Sequence, residues 1–323
     1  MSRQVDVLEL VSGVGSGDRR AVARAISVVE DGGAQAADLV AALYPHTGSA
    51  TIAGFTGPPG VGKSSLIAAL VAHLRREEQT VGVVSVDPSS PFTQGAVLGD
   101  RIRLSDHFLD PGVFIRSMST RGHLGGVAAA TLQTLLILDA SGKDVLLLET
   151  VGVGQSEVEV ASVADTVVLV LMPGSGDSVQ ALKAGVMEIP DVIVINKADH
   201  PAARTMRSEI RSILSLDRNR EWRTPIVETE AIRGEGITEL WDAVGEHRAF
   251  LGEEGLAGRR RRSLEQEVVA LAVAQARRRL ARAVERDPEL RGLLDDVHER
   301  RIDPLAATRV LADRVFRGQP GDD

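Results

Sequence analysis

Residues 51–65, TIAGFTGPPGVGKSS, read as a strand, a tight loop and a helix in immediate succession. The apolar Ile52, Ala53 and Phe55 lead into Gly57-Pro58-Pro59-Gly60-Val61-Gly62-Lys63-Ser64-Ser65, and Leu66, Ile67 and Leu70 follow at helical spacing. The octet 57–64 fits G-x-x-x-x-G-K-[ST], and each fixed position has a physical reason. Glycines let backbone N–H groups close around phosphate oxygens with no Cβ in the way, and the following helix turns its positive N-terminus toward the anion. In that pattern Lys63 reaches the β- and γ-phosphates and Ser64 ligates Mg²⁺. A Gly/Pro-rich surface turn would require neither flanking element. The stretch is therefore expected to cradle a nucleoside triphosphate, with residues 57–65 as its lining.

Outward from this loop the same alternation repeats. Candidate strands fall at 51–56, 81–87, 113–118, 144–149, 166–172, 191–196 and 225–229, several of them nearly uninterrupted Val, Ile and Leu. Such runs suit strands covered on both faces. Helical periodicity fills 63–76, 124–140, 178–187, 201–214 and 236–250. The pattern predicts an α/β fold, a doubly wound, mostly parallel sheet occupying residues 47–250, with ligands beyond the carboxyl ends of the strands. Residues 1–46 read as two or three short helices, with Gly13 to Gly17 as a linker and Asp18 as an N-cap. In residues 251–323, GEEGLAGRRRR reads as a polar connector, and Ser263 with Gln266 as a capping box. A helix carrying Val269, Val273, Ala276, Leu280 and Val284 follows, and Asp287-Pro288 and Asp303-Pro304 start two more. These amphipathic helices pack either on the main domain or on a second copy of themselves, and a homodimer is the expectation.

Strand 191–196 ends in Asn196-Lys197-Ala198-Asp199. A carboxylate at Asp199 can accept from both N1–H and the exocyclic amino group of guanine while the stem of Lys197 covers the base. Adenine lacks that amino donor and would leave the carboxylate unpaired. Its place at the end of an apolar strand downstream of the phosphate loop makes GTP, rather than ATP, the expected nucleotide. Thr229-Glu230-Ala231 follows the next strand, where a second base loop presents backbone N–H groups to the guanine oxygen. G proteins commonly carry Ser-Ala there, so Glu230 leaves the side-chain contact open.

The metal side is expected at three further strand ends or loops. Glu149, at the head of Glu149-Thr150-Val151-Gly152, can hold Mg²⁺ through water, and the Gly152 N–H can meet the γ-phosphate. No glutamine directly follows Gly152; Gln155 stands three residues later, which leaves the residue that positions water unassigned and predicts slow, partner-assisted turnover. Asp87 ends strand 81–87 and Asp100 lies beyond a glycine-bearing loop; each either serves the metal or caps a helix. The candidate catalytic set is Lys63, Asp87, Glu149, Gly152 and Gln155, and the candidate metal set Ser64, Asp87, Asp100 and Glu149. Arg101, Arg103, Arg121 and Lys183 read as surface or partner contacts that could also neutralise charge.

Of 323 residues 43% are hydrophobic, enough for a sizeable core. There is no cysteine, which excludes disulfides and thiolate metal sites and suits a reducing cytoplasm. A formal charge of −8 argues against nucleic acid as the main partner. The N-terminus MSRQVDVLELVSG lacks a basic then long apolar pattern, and no apolar run approaches about 18 residues, so neither export nor a membrane is expected.

By these residues the chain resembles a known family. GPPGVGKSS at 57–65, VDPSS at 86–90, LGD at 98–100, LGGVAA at 124–129, ETVGVGQSE at 149–157, PGSGD at 173–177 and NKAD at 196–199 are similar to the G-protein chaperones of methylmalonyl-CoA mutase. That family was formerly labelled a transport ATPase or kinase for lysine, arginine and ornithine. The resemblance covers residues 15–250, with 251–323 similar in general pattern to a C-terminal helical dimerisation arm. It implies a GTPase using GTP/GDP and Mg²⁺, partnered with an adenosylcobalamin-dependent mutase whose cofactor loading it gates and whose inactivated cofactor it helps remove. Two other readings are a kinase acting on a transport binding protein and a metal-insertion GTPase; the latter calls for a Cys/His cluster that seven scattered histidines do not supply.

Overall fold

The computed structural model describes residues 6–87, 104–119, 126–150, 163–175, 190–216 and 221–317. Seven strands pair in parallel throughout: β1 Thr51–Thr56, β2 Val81–Asp87, β3 Val113–Ser119, β4 Val145–Thr150, β5 Thr166–Leu171, β6 Val192–Asn196 and β7 Ile226–Thr229. Their order is β3-β2-β4-β1-β5-β6-β7, so the strand that feeds the phosphate loop lies at the centre. Each expected strand is present to within one residue at either end. The expected helix at 178–187 lies outside the described residues.

Strand alternation builds two apolar layers. Ala53, Phe55, Val83, Leu147, Val168 and Val194 face a core completed by helix α4 (Lys63–Arg76) and the start of α7 (Ile237–Arg286). The intervening Val84, Val86, Leu146 and Leu148 face the opposite way, against α1 (Val7–Gly15), α2 (Arg19–Asp31), α3 (Ala34–Leu43) and α5 (Gly126–Ala140). Helix α6 (Ala203–Leu214) covers Leu169, Leu171, Ile193 and Ile195. Strands buried on both faces are what uninterrupted apolar runs produce.

Two expectations differ from the structure. Gly13, Val14 and Gly15 are not linker but the last turn of α1, whose N-terminus is capped by Asp6. Val14 is buried, and a Cβ on Gly13 would come 2.5 Å from the Cβ of Ala21, so glycine here serves close helix packing. The break comes afterward, at Gly17 with φ of 71°, and Asp18 caps α2 as expected. The segment 251–262 is likewise helical rather than a connector, with α7 interrupted only at Gly252 (φ 61°, ψ −175°). Ser263 is then inside the helix and forms no capping box.

Long-range ion pairs hold the arginine run against the strand entries. Arg259 grips the Asp191 carboxylate with two N–H groups at 3.1 and 2.7 Å, and its Nε donates to the Ala164 carbonyl at 3.1 Å. Arg260 grips Asp165 at 2.7 and 2.6 Å and reaches the Gly48 and Ala50 carbonyls at 2.6 and 2.7 Å. The run thus ties α7 to the entry of β5 and β6. Asp139 secures the entry of β1 in the same way, accepting from the amides of Gly48, Ser49 and Ala50.

His247 of α7 joins this cluster. It is 2% exposed, with Nδ1 2.9 Å from Thr166 Oγ1 and Nε2 3.2 Å from Asp191. Burial pushes its pKa below the usual 6.5 against the upward pull of Asp191, and neighbouring Arg259 adds to the depression. The folded chain therefore resists taking a proton that the unfolded chain accepts. Its contribution is fully present above about pH 6.5 and is lost as pH falls below that value, at up to about 1.4 kcal/mol per pH unit. His247→Gln is expected to show a shallower loss of thermal stability between about pH 7 and 5.5 than the parent, and equal slopes in unfolding scans would disprove the assignment.

Residues 265–323 cluster as a second unit, described to residue 317. It comprises the end of α7, α8 (Pro288–His298) and α9 (Pro304–Arg317). Asp287 and Asp303 cap α8 and α9, each with proline next, as expected. Arg314 of α9 pairs with Asp287 and Glu289, and Arg279 lies 5.9 Å over the Phe316 ring. No helix among the described residues is long and apolar enough to cross a membrane.

Candidate functional site

The loop between β1 and α4 is shaped by what it lies against. Gly57 adopts φ of 145°, and a Cβ there would come 2.1 Å from the Val170 carbonyl oxygen of β5. Gly62 adopts φ of 93°, and its Cβ would meet Asn196 Nδ2 at 2.5 Å. A side chain at Gly57 would have to move the β5 backbone, and one at Gly62 would displace the Asn196 carboxamide and strain a left-handed backbone. Lys63 opens α4 and is buried, its Nζ donating to the carbonyls of Gly57 at 2.7 Å and Pro58 at 3.1 Å. The ammonium is thus held over the loop it belongs to.

Glu149, at the end of β4, is 3% exposed and takes donors on both carboxylate oxygens. Ser64 Oγ donates to Oε1 at 2.7 Å, and Ser85 Oγ to Oε2 at 3.3 Å. The next residue, Thr150, donates to the Phe55 carbonyl at 3.4 Å, fastening this strand end to β1. A buried carboxylate without such partners would be costly. A serine hydroxyl beside a carboxylate supplies the hard oxygen donors that Mg²⁺ selects, so the donor set fits that ion. Among the described residues there is no cluster of three His, Cys, Asp or Glu side chains suited to a metal, so a soft or imidazole-rich site is not formed there.

Asn196 joins three segments through one carboxamide. Its Nδ2 donates to the Val61 carbonyl at 2.8 Å, while its Oδ1 accepts from Thr229 Oγ1 at 3.1 Å and from the Ala231 amide at 3.3 Å. Lys197, at φ of 59°, directs Nζ toward the Gly60 carbonyl at 3.3 Å. The Ala198 amide donates to the Thr229 carbonyl at 3.1 Å. Asp199 is exposed and lines one recess with Thr229 and Glu230. Glu230 turns to Arg233 at 2.9 Å, and its backbone bonds reciprocally with Glu235, closing the turn. The unusual acid in this loop is thereby engaged by its own turn while the Ala231 amide stays with Asn196.

The structure thus brings together the loop 57–62, Lys63, Ser64, Glu149, Asn196, Lys197, Asp199 and the 229–231 loop at the carboxyl ends of β1, β4, β6 and β7. Asp87 closes β2 beside this edge. Asp100, Gly152 and Gln155 lie outside the described residues, as do Arg101, Arg103, Arg121 and Lys183. Ser85 was missed by sequence reasoning. Its signal was a hydroxyl in an otherwise apolar strand, on the face that carries Val81 and Val83.

A family model described as methylmalonyl Co-A mutase-associated GTPase MeaB matches residues 22–288. The chain belongs to the MeaB family. MeaB relatives include a Pyrococcus abyssi protein, named only as a GTPase, that is 47% identical over 315 residues, spanning 96% of this chain and 97% of that one. A mouse protein named methylmalonic aciduria type A homolog, mitochondrial, is 41% identical over 198 residues, covering 60% of this chain and 48% of its own. A crystal structure titled LAO/AO transport system kinase superposes with a TM-score of 0.69 at 26% identity, covering 97% of this chain and 98% of the other. This MeaB-family chain is a P-loop GTPase that binds guanine nucleotide, and its family is associated with methylmalonyl-CoA mutase.

Proposed function

We propose that this chain is a GTP-driven chaperone of methylmalonyl-CoA mutase, one that gates adenosylcobalamin loading and protects or reactivates the mutase. The observation that carries the proposal is the match to the mutase-associated family over residues 22–288. In this reading Gly57, Pro58, Pro59, Gly60, Val61, Gly62 and Ser65 surround the phosphates, and Lys63 swings from its loop carbonyls to the β- and γ-phosphates. Ser64, with Glu149, Asp87 and Asp100, holds Mg²⁺, which supplies neutralisation of developing phosphate charge. Asn196 braces the base loops, Lys197 covers the guanine, Asp199 reads its two N–H donors, and the loop Thr229-Glu230-Ala231 flanks its oxygen, with the Ala231 amide turning to it from Asn196. Gly152 senses the γ-phosphate, and Gln155 is the candidate in that loop for water. Residues 251–323 act as a dimerisation arm in the cytoplasm; the exposure of Val268, Val269 and Val273 at 64, 62 and 63% supports a second copy as their cover.

GTP turnover by the full chain, with and without the host's methylmalonyl-CoA mutase, tests the partner. Acceleration and co-purification are expected; the absence of both removes the chaperone reading and leaves the GTPase. Supplying γ-labelled GTP distinguishes the kinase alternative, since label in protein rather than in free phosphate would favour it.

A further inference from the structure

We propose that Ser85 is a positioning residue for the Glu149 carboxylate, setting how well the site takes Mg²⁺. The inference rests on the Mg²⁺ reading above and extends it to a residue of the neighbouring strand. Ser85 is directly opposite Glu149 in the β2–β4 register, and Glu149 is opposite Phe55 in the β4–β1 register. All three side chains therefore emerge on the face that α4 covers, where Phe55 is core and Ser64 lies in the first turn of the helix. On that face of β2 the preceding positions are Val81 and Val83, both buried and apolar. Ser85 is 1% exposed, so packing alone would be served by an apolar residue. Its hydroxyl instead donates to Glu149 Oε2 at 3.3 Å.

The two oxygens of Glu149 consequently have different holders. Ser64, on the phosphate-loop helix, takes Oε1 at 2.7 Å, and Ser85, on the sheet, takes Oε2. The terminal torsion of a glutamate is broad, so one donor fixes one oxygen and leaves the plane of the group to turn. A donor on the other oxygen, from a strand locked on both sides by β3 and β4, restricts that turn. Groups that orient a metal-side carboxylate control affinity for the ion without touching it.

Release of a fluorescent GDP from the full chain, followed against Mg²⁺ concentration, reads this directly. Ser85→Ala is expected to raise the Mg²⁺ needed for half of the maximal slowing by roughly tenfold, while GDP affinity in EDTA stays within twofold. Ser85→Thr, which keeps the hydroxyl, is expected to restore the parent's Mg²⁺ response. A Mg²⁺ midpoint in Ser85→Ala within twofold of the parent overturns the proposal. So does a variant whose GDP affinity in EDTA falls along with its melting temperature, which would mark a packing residue. If Ser85→Ala does not fold, Ser85→Cys, near in volume but a far weaker donor, takes its place under the same criteria. Should the parent itself show no Mg²⁺ dependence of GDP release, the Mg²⁺ reading fails first and Ser85 with it.

Discussion

Replacing Asp199 by asparagine is expected to weaken GTP binding by about two to three orders of magnitude and to strengthen binding of xanthosine triphosphate. In the proposed site the carboxylate accepts from guanine N1–H and from the exocyclic amino group. Hydrogen bonds to a charged acceptor contribute about 1.5–3 kcal/mol each, and an unpaired donor facing a donor adds a penalty. Asparagine keeps one acceptor but sets its NH₂ against the guanine amino group, so a net loss of about 3–4 kcal/mol follows, at 1.4 kcal/mol per decade. Xanthine carries an oxygen where guanine carries the amino group, and that oxygen accepts from the new NH₂. Asp199 is exposed, so its exchange should leave the fold unchanged. Competition binding with labelled nucleotides measures both effects, and a GTP affinity within threefold of the parent would show that Asp199 does not read the base.

This recognition was legible in the sequence because it is local: Asn196 to Asp199 are consecutive at a strand end, and the strand itself is an unbroken apolar run. The sheet was legible for the same reason, since strands buried on both faces carry their signal in every residue. What escaped depends on partners far away in the chain. Arg259 and Arg260 read as part of a polar connector because nothing near them in sequence announces Asp191 and Asp165, 68 and 95 residues earlier. A glycine such as Gly13 reads as a breaker unless the neighbouring helix that requires it is known. Ser85 reads as incidental until the register of β2 and β4 places it opposite Glu149.

The same distant pairing yields the largest expected stability effect. Asp165 has a side chain with no exposure, and its carboxylate accepts from the Ile52 amide at 3.0 Å as well as from Arg260. Arg260→Ala would leave that carboxylate buried with its counter-charge gone and would also strip the Gly48 and Ala50 carbonyls of a donor. Losing one member of a buried pair costs about 3–5 kcal/mol; the 27% exposure of the Arg260 side chain places this case near the lower figure. For a unit of this size about 2–4 °C is lost per kcal/mol, so a fall of roughly 6–10 °C in Tm is expected. Arg260→Lys should recover only part, because a single ammonium cannot make the two-pronged contact. Combining Arg260→Ala with Asp165→Asn should cost less than the sum of the single changes, since the second removes the stranded charge. Thermal unfolding of these variants and of Asp165→Asn alone decides the matter: a loss under about 1 kcal/mol for Arg260→Ala, or simple additivity in the double variant, would show that the arginine run contributes no more than an exposed charged surface.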